Sequence, residues 1–335
     1  MPDPTKIMDM ASAFYRSQVL FCASDLNIFG ALAKRKSASA EELAAQCGTS
    51  ERGMRLLLDA CVAVELLTKS GDRYGNSAEA AAFLVPGSPG DLSRAIRYNR
   101  DVYEAWGQLP TMVRTGEPVE RPQTHLGDDP VRTRTFVESM HARARAIGQA
   151  VIPALDLSGC TRLLDVGGGP GTYSVMLAQQ YPELECTVLD LPGVTAVAEE
   201  LIEQQGASNR VTTRAGDYRT APFPGGNDAL LLFGMLHQES PDSIRAILKK
   251  SYAALNPGGT VYVMDIMTDA GHASPTFSAL FAVNMALTTE SGWVFSDREL
   301  EGWMREAGFE QFRVNALPAP MPHWLASARV PASPG

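Results

Sequence analysis

The chain has 335 residues, 45% of them apolar and 20% charged, with a formal net charge of −9; a length beyond the usual single-domain size makes two domains the default. The acid surplus disfavours a nucleic-acid partner, which calls for a basic surface to neutralise phosphates. No apolar run approaches the ~20 residues needed to span a bilayer, and the N-terminus lacks the basic-then-apolar pattern of a signal peptide, so a soluble, cytoplasmic chain without a membrane partner is expected.

In chain order, an apolar segment from Phe14 to Leu32 comes first. Ser39-Ala-Glu-Glu42 reads as a capping box that opens a helix running to Cys47, where Gly48 stops it. A second helix is expected from about Glu51 to Val64, because Leu56, Leu57, Ala60, Cys61 and Val64 form a helical apolar stripe. Ser70-Gly-Asp72, within Leu67 to Gly75, is a hairpin signal. Helix, turn, helix and hairpin make a winged-helix arrangement. A DNA-reading version needs a basic recognition helix, and here Arg52 and Arg55 are offset by Glu51 and Asp59, with Glu65 following. Pro86-Gly-Ser-Pro-Gly90 breaks the chain and closes a first domain of residues 1–90. Residues 91–155 read as helices carrying Tyr103, Trp106, Met112, Phe136 and Met140. Aromatics and methionines at helical spacing are more often plain core, although Phe136 and Met140 stand four apart on one face. Cys22, Cys47, Cys61, Cys160 and Cys186 are scattered without a CxxC, so they read as reduced, mostly buried small hydrophobes.

The second half opens on Leu-Leu-Asp-Val-Gly-Gly-Gly-Pro-Gly over residues 163–171. A strand from Arg162 to Val166 that turns into a helix through Gly167, Gly169 and Gly171 lets backbone amides approach a nucleotide-like ligand without Cβ clashes. The next apolar run, Cys186 to Leu189, ends in Asp190, an acid placed to meet ribose hydroxyls. To this point the pattern fits NAD and S-adenosylmethionine equally. Gly216-Asp217-Tyr218 then follows a third strand (Val211 to Arg214), Ala229 to Phe233 is a fourth, and Leu255-Asn-Pro-Gly-Gly259 leads into a fifth, Thr260 to Met264. His237, in Met235-Leu236-His237, lies just past the fourth strand, on the carboxyl-end side where open α/β sheets bind ligands. Its unperturbed pKa of ~6.5 suits a base for a hydroxyl. His125, His141, His272 and His323 read as structural. A base is generally oriented by a carboxylate on its second ring nitrogen, and Asp265 at the end of the fifth strand is the candidate.

Taken together these motifs resemble the class I S-adenosylmethionine-dependent O-methyltransferases of the caffeate and acetylserotonin type and their bacterial natural-product relatives, from about Tyr15 to Ala328. The resemblance implies an α/β fold: a Rossmann-like doubly wound methyltransferase domain over 156–330 with an N-terminal α-helical winged-helix dimerisation domain over 1–90. Residues 91–155 become a helical linker that supplies acceptor-pocket helices, and the chain a homodimer. The cofactor implied is S-adenosyl-L-methionine, leaving as S-adenosyl-L-homocysteine. Carried over to this chain, Gly167, Gly169, Gly171, Asp190, Leu191, Gly216, Asp217, Tyr218 and Gly234 bind it. His237 is the catalytic base with Asp265 orienting it, and Phe136, Met140, Phe281, Asn284 and Met285 contact a small aromatic acceptor.

The chain departs from the family in places. Relatives carry a second acid in Gly-Gly-x-Glu-Arg-Thr, where this chain has Val294, so Glu290 a few residues away stands as a catalytic substitute. Most relatives continue His-Asp-Trp after the base; here Gln238-Glu239-Ser240-Pro241 follows, with Ser240 as helix cap and Pro241 in the first helical position. With Gln238 in the aspartate's position no metal is expected. The reaction that the resemblance implies is O-methylation of an aromatic or polyketide-like hydroxyl. C- or N-methylation of a related acceptor and a repurposed, non-methylating site remain alternatives.

Overall fold

The computed structural model describes residues 2–120, 129–319 and 321–332. The chain forms two compact units, Met1–Asp101 and Val102–Gly335. The first contains α1 (Thr5–Asp25), α2 (Ile28–Arg35), β1 (Ala38–Ser39), α3 (Ala40–Cys47), α4 (Glu51–Ala63), β2 (Leu67–Ser70), β3 (Arg73–Asn76), α5 (Ala78–Phe83) and α6 (Ser93–Asp101). Ser39 caps α3 in a complete capping box with Glu42, and Gly48 ends it in the left-handed conformation. The helix pair and a small antiparallel sheet of order β1-β3-β2 enclose a core that includes Phe29, Leu43, Met54, Leu58 and Tyr74. On α4, Arg55 pairs with Glu51 at 2.7 Å, while Asp59 takes Lys69 of the hairpin. The Pro86–Gly90 stretch lies inside this unit, because α6 continues beyond it and Arg100 Nε reaches Asp25 Oδ2 of α1 at 2.9 Å. Of the five cysteines only Cys61 and Cys186 are buried; Cys22 is exposed on α1.

The second unit begins with α7 (Tyr103–Gly107), α8 (Leu109–Thr115) and α9 (Pro130–Val151). It continues through β4 (Arg162–Val166), α10 (Thr172–Gln180), β5 (Glu185–Asp190), α11 (Pro192–Gln204), β6 (Val211–Ala215), β7 (Asn227–Phe233), α12 (Pro241–Ala254) and β8 (Leu255–Asp265). It ends with α13 (Thr276–Thr288), α14 (Asp297–Ala307), β9 (Glu310–Ala316) and β10 (Trp324–Arg329). Among the described residues the strands form one seven-stranded sheet of order β6-β5-β4-β7-β8-β10-β9, in which only the β8-β10 and β10-β9 pairs are antiparallel. Apolar residues fill both faces. Leu230, Leu232, Val261 and Val263 meet α12 and α14 through Ile244, Leu248, Leu300 and Trp303. On the other face Leu163, Val188 and Leu231 meet α9, α10 and α11 through Val151, Leu177 and Ile202. A sheet covered on both sides by helices is the doubly wound arrangement, and it leaves its ligand rim at the carboxyl ends of the parallel strands.

The Pro-Gly-Gly segment is not a turn ahead of the fifth strand but part of it: β8 starts at Leu255, opposite Asn227, and the ladder resumes only at Ala229 opposite Thr260. The extra residues are absorbed as an irregularity in the pairing. No helix among the described residues is long and apolar enough to cross a membrane.

Leu164 is fully buried in a central strand, so Leu164→Ala removes packing that neighbouring side chains cannot refill. The expected loss of stability is about 3 kcal/mol, to be read as a lower urea midpoint at unchanged slope.

Candidate active site

The glycine turn is built by conformation. Gly167, Gly169 and Gly171 have φ of 65°, 54° and 70°, a region costly for residues with a Cβ. A Cβ on Gly169 would stand in open space, as the rim of a cradle requires, whereas one on Gly168 would fall 2.6 Å from the Asp165 carboxyl carbon. Asp190 holds the turn from the next strand: Oδ2 accepts from Gly169 N at 2.8 Å and Oδ1 from Leu191 N at 2.7 Å. Its main chain accepts from Gly216 N at 2.8 Å, tying the third loop to the same point. Burial pushes the Asp190 carboxyl up, and those two amides work against the shift.

Asp217 turns back on its own loop, accepting from Arg219 N at 2.8 Å. Tyr218 lies close beside Gly167, and its hydroxyl donates to Glu239 Oε1 at 2.8 Å. Glu239 is almost completely buried and also accepts from Arg219 Nε at 2.8 Å and Ser243 Oγ at 2.5 Å. From the other side Lys250 Nζ donates to the main-chain oxygens of Tyr218, Arg219 and Ala221. The loop is therefore clamped by Glu239 and Lys250, neither of which the sequence singled out. The Ser240 cap expected beside Glu239 does form, with Ser240 Oγ accepting from Ser243 N at 3.3 Å and Pro241 at the first helical position.

His237 stands on a short 3₁₀ turn, Leu236–Gln238, after Gly234, whose amide donates to Met264 O at 2.7 Å across the end of the β7-β8 ladder. The imidazole Nδ1 lies 2.6 Å from Asp265 Oδ1, and the His237 amide donates to Asp265 Oδ2 at 3.2 Å. Asp265 is fully buried and takes a further hydrogen bond from Ile266 N at 2.7 Å. Phe281 packs edge-on against the imidazole with centroids 5.1 Å apart, and Phe277 stacks on Phe281. Trp293 N caps the His237 carbonyl at 3.0 Å; a Cβ on the preceding Gly292 would stand 2.9 Å from that oxygen.

The remaining sequence candidates take varied places. Phe136 packs with Leu191, Val194 and Val197, and Met140 is half-buried on the same helix. Met285 is buried with Ile266 and Val294. Asn284 Oδ1 accepts from Trp106 Nε1 at 2.9 Å, which gives the amide an internal partner. Glu290 is exposed and is not among the groups bonded to His237; Val294, in the place of the family's acid, is core. His141 Nδ1 meets Thr172 Oγ1 at 2.8 Å at the start of α10, and His272 lies 3.3 Å from Glu299. His125 lies outside the described residues. Among the described residues no three His, Cys, Asp or Glu side chains converge to hold a metal ion.

Residues 115–310 match the O-methyltransferase domain family, and residues 8–86 the O-methyltransferase dimerisation domain. The chain is 34% identical over 324 residues to 3-hydroxy-5-methyl-1-naphthoate 3-O-methyltransferase of Streptomyces sahachiroi, covering 95% of this chain and 92% of that one. It is 32% identical to the tetracenomycin polyketide synthesis 8-O-methyl transferase of Streptomyces glaucescens, over 95% of this chain and 94% of that protein. The crystal structure of human N-acetylserotonin methyltransferase in complex with its methyl donor superposes with a TM-score of 0.88 at 26% identity, covering 99% of each chain.

One buried group makes the rim's electrostatics measurable. Asp165 is fully buried; Oδ2 accepts from Ser174 Oγ at 2.7 Å, Oδ1 has no partner, and burial raises its carboxyl to about 7. A carboxyl raised on folding stabilises the fold below its unfolded pKa of ~4 and loses that contribution as pH climbs through the folded value. Cofactor-free protein is therefore expected to lose thermal stability between pH 4 and 7 through this group. In Asp165→Asn the fall in melting temperature over that interval should be visibly smaller than in the parent.

Proposed function

The chain belongs to the S-adenosylmethionine-dependent O-methyltransferase family, and we propose that it methylates a hydroxyl of a small aromatic or polyketide-like metabolite with His237 as the base. The observation that carries this reading is the 2.6 Å contact between His237 Nδ1 and a fully buried carboxylate, Asp265, at the carboxyl end of the sheet. A carboxylate can only accept, so Nδ1 carries the proton and Nε2 presents a bare lone pair to the acceptor hydroxyl. Both Streptomyces relatives are named for O-methylation within aromatic or polyketide metabolism, in line with such an acceptor.

The residues present fit the donor. The open face at Gly169 leaves room for a ligand against the turn, and each Asp190 oxygen keeps acceptor capacity beyond its single amide bond for ribose hydroxyls. In this assignment Gly167, Gly169 and Gly171 face the methionine and ribose portion. Leu191, Gly216, Asp217 and Tyr218 surround the adenine, and Gly234 lies beside the methyl-transfer point. S-adenosylmethionine supplies a sulfonium methyl that is already activated toward in-line displacement.

What the chain adds is alignment and a proton acceptor. A phenol of pKa ~10 is about 0.1% ionised at neutral pH, so a neutral imidazole on the hydroxyl increases the reactive fraction. Asp265 stabilises the imidazolium that results, and its bond to the His237 amide keeps the turn in place while the ring gains charge. Phe281 and Phe277 form an aromatic wall beside the ring, suited to a planar acceptor. Phe136 and Met140 on α9, with Met285 and Asn284 on α13, complete the proposed acceptor contacts. Glu290 is exposed, and in this reading it acts only if acceptor binding brings it inward.

The first unit assembles a homodimer in this proposal. Ile7, Met8, Met10, Phe14 and Tyr15 are all exposed on α1, an apolar surface of the sort that a partner covers.

Replacement of His237 by Ala is expected to lower kcat by about 10²- to 10⁴-fold with donor affinity unchanged, and Asp265→Asn by about 10- to 100-fold. Transfer from methyl-labelled S-adenosylmethionine to a panel of phenols and hydroxyquinones, with the methylated atom located by mass spectrometry, reads both. A loss below threefold in His237→Ala would leave alignment alone as the mechanism. Light scattering should return twice the 36.0 kDa chain mass, and Met10→Asp with Phe14→Asp should return the single chain.

A further inference from the structure

His323 lies one residue before β10, next to Trp324, which pairs directly with Asp265 across the antiparallel β8-β10 ladder. Its main-chain oxygen accepts from Leu317 N at 2.8 Å, which closes the connection between β9 and β10 and fixes the histidine at the catalytic end of the sheet. The side chain is only 6% exposed, and Nδ1 is buried with no hydrogen-bond partner. A buried imidazole without a partner is costly, and it calls for a role. Burial lowers its pKa to about 4, with the nearby charge of Arg143 adding to the effect and Asp265 opposing it. The ring is neutral at working pH and carries one N–H donor.

Arg143 stands on α9 one turn before Ile147, and the buried cluster that holds Ile147 has Met321 and Leu325, on either side of His323, packed against it. The helix is pinned to α10 at two points on either side of Arg143: His141 meets Thr172 at 2.8 Å, and Gly148 lies so close that a Cβ there would fall 2.5 Å from Met176 Sδ. By spacing, Arg143 continues the stripe of Phe136 and Met140, the proposed acceptor contacts. Arg143 is half-buried and makes no ion pair among the described residues. A cation with no ion pair among the described residues and an imidazole with an unpartnered Nδ1 thus occur together, next to the base and on the acceptor stripe. Both are satisfied by the same partner, a carboxylate, which accepts from a guanidinium fork and an imidazole N–H at once.

We propose that Arg143 and His323 form a carboxylate-binding pair for the acceptor, which is then a hydroxyarene bearing a carboxylate on a second position of its ring system. This rests on the reading of the site as a hydroxyl methyltransferase and names the acceptor class within it. The pair orients the ring, so that the hydroxyl meets His237 while the acid group is held away from the base.

The test is calorimetric and independent of turnover. Hydroxybenzoic and hydroxynaphthoic acids and their methyl esters are titrated into the full-length protein loaded with S-adenosylhomocysteine, whose own affinity is measured first. The parent should prefer an acid to its ester by tenfold or more. Arg143→Gln should weaken the acid about 10- to 100-fold and leave the ester unchanged, Arg143→Lys should restore part of the loss, and His323→Gln should cost the acid a smaller factor. Equal binding of acid and ester by the parent on both ring systems overturns the proposal. So does a loss of S-adenosylhomocysteine affinity in Arg143→Gln with acid preference intact, since the carboxylate served would then be the cofactor's. Failure of methyl transfer alone, with acid preference present, counts against the hydroxyl-transfer reading and leaves the pair standing.

Discussion

Three carboxylates near the carboxyl ends of the parallel strands, Asp165, Asp190 and Asp265, are 0%, 8% and 0% exposed, and the demand that each be satisfied organises the rim. A buried charge is tolerated only when donors surround it. Asp190 recruits the amides of Gly169 and Leu191 and thereby fixes the glycine turn relative to the second strand. Asp265 recruits Ile266 N, His237 N and the His237 ring, so one carboxylate sets both the path of a turn and the tautomer of an imidazole. Asp165 finds a single donor, Ser174, and burial raises its carboxyl to about 7. The physical need that shapes the backbone here also places His237, the proposed base.

The central parallel strands are legible in the sequence because they are buried on both faces and so appear as continuous apolar runs, such as Leu163-Leu164 and Leu230 to Leu232. Asp190 and Asp265 are legible for a related reason: a carboxylate that ends such a run has nowhere to sit but the rim. Strands β9 and β10 carry a weaker signal. Along β9, Phe312 and Val314 are half-buried between exposed Gln311, Arg313 and Asn315, the alternation of an edge strand wetted on one side. The Pro-Gly-Gly segment reads locally as a turn, and only the partner strand reveals that the ladder runs on past it.

Side-chain hubs are the least legible level. The Ser240 cap depends on residues three apart and is local, so the sequence displays it. Glu239, its neighbour, gains its meaning from Tyr218 and Arg219, some 20 residues away, with no periodicity to join them. His323 is the same kind of case, since an imidazole in a proline-rich connection has no local mark of burial. Asn284 is a further case: its Oδ1 accepts from Trp106 Nε1, 178 residues away in sequence, a link with no local mark.

The crowding around Gly292 has an evolutionary consequence. A side chain there would stand 2.2 Å from Thr289 Oγ1, 2.9 Å from the His237 carbonyl and 3.2 Å from Met285 Cβ, so the descent from α13 to His237 is a fixed seam. Phe277 and Leu280, each about half exposed on the same helix, have no such constraint. Lineages and laboratory libraries can therefore diversify the outer turns of α13, which in the proposed reading changes the ring accepted, while the seam keeps His237 in one register.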